Sequence, residues 1–98
     1  MKEISTKELQ NLVEANNELN IIDVREVDEV ATGKIKGAVN IPLGLLEFRK
    51  QELNKSEEYI MVCRSGGRSG QATKYLEGQG FNVTNMTGGM LSWEGEVE

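Results

Sequence analysis

A single cysteine, Cys63, ends the apolar run Tyr59-Ile60-Met61-Val62 and is followed by Arg64-Ser65-Gly66-Gly67-Arg68-Ser69. Paired glycines reach backbone angles closed to other residues, so successive N–H groups can turn inward as a nest that holds an anion. A helix expected to begin near Ser69 or Gly70 adds the positive end of its dipole, and Arg64 and Arg68 add full charges. A free thiol titrates near about 8.5, and surroundings of this kind bring it to roughly 3.5–7.5, which makes the nucleophilic thiolate the resting form. On residue type alone, a cysteine after an apolar strand is a small buried hydrophobe. The two arginines and two glycines that follow shift the reading to a reactive thiol.

What the composition lacks sharpens this reading. There is one Cys and no His in 98 residues. These counts exclude an internal disulfide, Cys/His zinc sites, Ser-His-Asp and Cys-His nucleophile pairs, and Cys-x-x-Cys redox chemistry. No metal and no cofactor is expected, and any activation of Cys63 comes from something other than an imidazole. The net charge of −5 argues against nucleic acid as a partner, since duplex binding draws its affinity from a basic face. An anionic substrate therefore needs a local positive site, such as the loop after Cys63.

The elements that must position this loop are short and alternate in type. Ser5-Thr6-Lys7-Glu8 is a capping box with Ile4 and Leu9 as its hydrophobic staple, which predicts a helix over 6–15. Leu19 to Val24 suits a strand buried on both faces. Glu26 to Ala31 forms a brief helical turn ended by Gly33, and Ala38 to Ile41 a short strand stopped by Pro42. Leu45, Leu46 and Phe48 predict a short amphipathic helix within 43–53. Tyr59 to Val62 is a central strand. Ala72, Tyr75 and Leu76 share a helical face that Gly78 or Gly80 closes, and Phe81 with Val83 to Met86 makes the last strand before Gly88-Gly89 and a turn bearing Leu91 and Trp93.

Strands alternating with helices predict an α/β layered fold, a mainly parallel central sheet with helices on both faces. Cys63 then lies beyond the carboxyl end of a strand, where such sheets gather ligands. With no linker, repeat or composition shift, residues 1–98 read as a single domain. No apolar run approaches the roughly 18 residues of a membrane span, and Met1-Lys2-Glu3-Ile4-Ser5 lacks the apolar stretch of an export signal. The expectation is a cytoplasmic chain with no membrane partner.

The segment Cys63-Arg64-Ser65-Gly66-Gly67-Arg68-Ser69 resembles the active-site loop of single-domain rhodaneses, the thiosulfate sulfurtransferases. Ile22-Asp23-Val24-Arg25-Glu26, Gly37-Ala38-Val39-Asn40-Ile41-Pro42 and Gly88-Gly89-Met90-Leu91-Ser92-Trp93 are similar to three further motifs of that family, in the family's order and across most of the chain. The resemblance implies a rhodanese-like fold and a sulfurtransferase. Thiosulfate or a similar small-molecule donor gives its outer sulfur to Cys63, and the persulfide passes it to cyanide or a thiol. Arg64 and Arg68 are the candidates to orient the donor, and the loop from Ser65 through Gly66 and Gly67 to Ser69 to stabilise charge on the sulfurs. Asp23 and Arg25 are supporting candidates, with turn capping or an ion pair as their plainer role. Trp93 reads as core or interface. One departure stands out: the family often has Gly-His-Ile where this chain has Gly33-Lys34-Ile35.

Two other functions compete. A cysteine-dependent phosphatase or arsenate reductase also attacks an oxyanion from a thiolate, but it places Arg six positions after Cys, where this chain has Ser69. A persulfide carrier that takes sulfur only from a protein donor and hands it to a partner, without turning over thiosulfate usefully, uses the same loop and is not excluded by the sequence.

Overall fold

The computed structural model describes residues 1–98. Ser5 caps the first helix, α1 (Thr6–Glu14): its hydroxyl accepts the Glu8 N–H at 3.0 Å, while Glu8 Oε1 accepts the Ser5 N–H at 3.1 Å. Ile4 and Leu9 meet in one apolar cluster, as a hydrophobic staple does. Ahead of the cap, Lys2–Ile4 forms a strand, β1, that the sequence reading did not foresee, because three residues are too few to show alternation. It exists through its pairing with the last strand, Ile4 lying opposite Met86.

Four further strands follow: β2 (Ile21–Asp23), β3 (Val39–Asn40), β4 (Glu58–Val62) and β5 (Asn82–Met86). They join β1 in one sheet of order β1-β5-β4-β2-β3, with every pairing parallel. Between them lie α2 (Val27–Val30), α3 (Leu46–Arg49) and α4 (Gly67–Gly78). The sheet separates two apolar cores. Tyr59, Met61 and Cys63 point to one side, with Ala72 and Leu76 of α4 and Leu46 of α3; Val62 points to the other, with Leu9 of α1. The period-two alternation of β4 thus carries Cys63 to the α4 face.

The amphipathic helix expected within 43–53 is broken into 3₁₀ turns at Leu43–Leu45 and Lys50–Glu52 around the four residues of α3. Its apolar residues do not share a buried face: Leu46 is 2% exposed, whereas Leu45 and Phe48 are 48% and 71% exposed. Helix α4 begins at Gly67 rather than Ser69. Gly66 sits in the left-handed region (φ 101°) and its carbonyl accepts the Gly70 N–H at 3.0 Å, so the loop residues themselves become the first helical turn. No helix is long and apolar enough to cross a membrane.

Candidate active site

Cys63 follows the carboxyl end of β4, and the left-handed turn at Gly66 brings the start of α4 back over its sulfur. The Gly66 N–H donates to Sγ at 3.1 Å, and the thiol donates to Ser69 Oγ at 3.3 Å. Cys63 is 1% exposed, so its sulfur lies at the floor of this cup rather than on the surface. Burial pushes the thiol up, but the Ser69 hydroxyl and the N–H groups of Ser69, Gly66 and Ser65 together outweigh it, and the net shift is downward from 9.0. The nest expected from the paired glycines is present, and it includes the amino end of a 12-residue helix.

The loop rests on the segment after β5. The Met90 N–H donates to the Cys63 carbonyl at 2.9 Å and the Leu91 N–H to the Arg64 carbonyl at 3.0 Å. Gly89 permits this contact: it has φ +60°, and a Cβ there would lie 2.2 Å from the Arg64 carbonyl oxygen. The Gly88-Gly89 pair is therefore a seat for the cysteine loop, a role its local sequence does not reveal.

Beneath the cup, Ser69 Oγ donates to Asn85 Oδ1 at 2.5 Å, and Asn85 Nδ2 donates to the Gly66 carbonyl at 3.3 Å. Both side chains are buried, and Asn85 did not figure in the sequence reading because a polar residue in a short strand carries no signal of its partner 16 positions away. Glu29 was likewise missed. It accepts both Arg68 guanidinium nitrogens, Nη1 at 2.6 Å and Nη2 at 2.8 Å, across 39 positions of chain. This pairing holds the Glu29 carboxyl down to about 2, through Arg68 first and the Glu26 backbone second.

The other candidates divide. Arg64 and Ser65 are exposed at the mouth of the loop, and Arg64 shares a cleft of about 410 Å³ with Glu29 and Leu91. Gly67 is exposed at the first turn of α4. Asp23 and Arg25 form a buried ion pair, 0% and 5% exposed, with Nη2 to Oδ2 at 2.8 Å. Arg25 also donates to the Gly33 carbonyl at 2.8 Å, and the Asp23 carbonyl accepts from Asn40 Nδ2 at 2.8 Å. This pair shapes the turn that carries α2 and so indirectly sets Glu29. Lys34, at the family's usual histidine position, donates to the Ala38 carbonyl at 2.9 Å and to Glu98 Oε1 at 2.5 Å, and ties down the carboxyl end of the chain. Trp93 packs against the second core and donates to the Glu96 carbonyl at 3.1 Å.

Comparison with known proteins bears on the family and the fold. The Rhodanese-like domain family matches residues 5–96. The Bacillus subtilis (strain 168) protein named "Putative sulfurtransferase YtwF" is 49% identical over 98 residues, covering 100% of this chain and 95% of its own length. From the same organism, "Putative sulfur carrier protein YrkF" is 42% identical over 97 residues, 98% of this chain but 52% of its own length, so the chain spans about half of that relative. The crystal structure of a rhodanese-like domain protein from Staphylococcus aureus superposes with a TM-score of 0.94 at 38% identity, covering 100% of this chain and 97% of that one.

Proposed function

The chain belongs to the rhodanese-like domain family, and from that premise we propose that it moves sulfane sulfur from thiosulfate or a related donor to a thiophilic acceptor through a persulfide on Cys63. The observation that carries this reading is the Gly66 N–H aimed at Sγ from 3.1 Å at the amino end of α4. A thiolate there attacks the outer sulfur of thiosulfate. The new bond forms between Sγ and that sulfur, the bond to the sulfonate sulfur breaks, and its electron pair leaves with sulfite. The persulfide anion keeps the same N–H partners. Attack by cyanide or a thiolate on its outer sulfur then releases the product and restores the Cys63 thiolate, a two-step covalent cycle with ping-pong kinetics.

Loop N–H groups stabilise the charge on sulfur in both steps, because they are preorganised and need no solvent to reorient. Arg64 is the cation free to meet the donor's sulfonate, whereas the Arg68 guanidinium already serves Glu29. We place the activity in the cytoplasm, where a lone thiol stays reduced.

Intact-protein mass spectrometry after thiosulfate treatment tests the proposal: the wild type gains the mass of one sulfur and Cys63→Ser gains none. A Cys63→Ser protein that still transfers sulfur removes Cys63 from its assigned role. The carrier reading is favoured by the relative named as a sulfur carrier. It is distinguished by a Cys63 that gains sulfur only when a persulfidated donor protein is added.

A further inference from the structure

Four groups around the sulfur form a closed, directed ring of hydrogen bonds. The Cys63 thiol donates to Ser69 Oγ, Ser69 donates to Asn85 Oδ1, Asn85 Nδ2 donates to the Gly66 carbonyl, and the Gly66 N–H donates back to Cys63 Sγ. A serine hydroxyl carries one hydrogen. In this arrangement that hydrogen is spent on Asn85 at 2.5 Å, and Ser69 turns a lone pair toward the sulfur. The arrangement suits a thiol. Once the proton leaves Cys63 for water, the sulfur becomes an acceptor facing another acceptor, and Ser69 can serve it only by turning its hydrogen away from Asn85. The Asn85 amide is not free to compensate, because reversing it would set Oδ1 against the Gly66 carbonyl, now 3.3 Å from Nδ2.

We propose that Asn85 is a positioning residue for the sulfur-transfer site: by competing with Cys63 for the Ser69 hydrogen, it restrains ionisation of the sulfur. This rests on the reading of Cys63 as the nucleophile and extends it. The N–H groups of the nest alone would favour the anion strongly, and a thiolate held too stable is a poor nucleophile. Asn85 opposes them from below, with no charge of its own. The charged groups bordering the site are Arg64 on the loop, Arg68 on α4 with Glu29 on α2, Glu26, which acts on Arg68, and the Asp23–Arg25 pair at the end of β2, where Asp23 lies opposite Val62. None of them hydrogen-bonds to Asn85, so its replacement leaves their contacts in place.

The test is the pH dependence of Cys63 alkylation by iodoacetamide in the full chain, which reads the thiol whether or not thiosulfate is a donor. Asn85→Leu and Asn85→Ala free the Ser69 hydrogen for the sulfur. Both are expected to lower the ionisation midpoint and raise the alkylation rate below it about three- to tenfold, the scale of one net hydrogen bond. In a Ser69→Ala background the same substitutions are expected to leave the midpoint unchanged. A purely architectural Asn85 gives the opposite sign, since a loosened loop loses its N–H donors and the midpoint rises. A rise, or a shift of equal size with and without Ser69, overturns the proposal. Failure of sulfur to load from thiosulfate in the mass experiment, with the alkylation pattern intact, would instead remove the donor assignment and leave Asn85 in place.

Discussion

Arg68 and Glu29 face each other in a two-pronged ion pair, Nη1 to Oε1 at 2.6 Å and Nη2 to Oε2 at 2.8 Å, which binds the last arginine of the cysteine loop to the helix after β2. A guanidinium so engaged has spent its fork geometry on a carboxylate of the protein and has less to offer a sulfonate. Glu29→Gln is expected to loosen Arg68 and to lower the KM for thiosulfate about two- to fivefold with kcat within about twofold, the scale of a partly exposed ion pair. Steady-state thiosulfate–cyanide kinetics check this, and an unchanged or raised KM counts against it.

The same pair leaves a mark on stability. The Glu29 carboxyl titrates at about 2 in the folded chain against 4.5 ordinarily, so its contribution is fully present above the unfolded value and is lost as pH falls toward 2. Thermal melts of the wild type are expected to drop between about pH 4.5 and 2, more steeply than those of Glu29→Gln. Parallel curves for the two proteins would show that the pairing is not linked to folding.

Ser69 bears directly on the thiol. When its hydrogen turns from Asn85 to the sulfur, its hydroxyl joins the N–H groups around Sγ, and together they draw the ionisation of Cys63 below 9.0 in spite of burial. Alkylation of the wild type is expected to show a midpoint below that of an unstructured thiol, and Ser69→Ala to move it upward and slow alkylation below it about three- to tenfold. A Ser69→Ala midpoint equal to the wild type would remove the hydroxyl from the account.

Gly89 admits no side chain. With φ +60° and a would-be Cβ 2.2 Å from the Arg64 carbonyl oxygen, Gly89→Ala must push the cysteine loop off its seat. The expected cost is about 3 kcal/mol or more, with loss of sulfur loading even in the fraction that stays folded. Urea unfolding and the mass assay measure the two effects, and wild-type values in both would show that the loop has another support.

Asp23 and Arg25 are expected to matter for folding. Replacing Arg25 with Met leaves Asp23, 0% exposed, without its partner. Removing one member of a buried pair costs about 3–5 kcal/mol, which chemical denaturation can read. An Arg25→Met protein of full stability but lost activity would instead place this pair in the chemistry.

The local signals in the chain determined much of this. Ser5 and Glu8 announce α1 because capping acts within three residues; Gly66 announces the turn of the cup because only glycine takes its positive φ without cost; and Tyr59 to Val62 announce a strand because a short apolar run is read along the chain itself. The lack of histidine narrowed the chemistry before any fold was known. Tertiary structure decided the rest. It made a strand of Lys2–Ile4 by setting it beside β5, and it kept Leu45 and Phe48 out of the core. It also assigned Arg68 to Glu29, Ser69 to Asn85 and the Cys63 loop to Gly89. Each of these contacts joins residues that a parallel sheet brings together only after helical crossovers, and a side chain's type says which partners it can take but not which one the sheet order sets beside it.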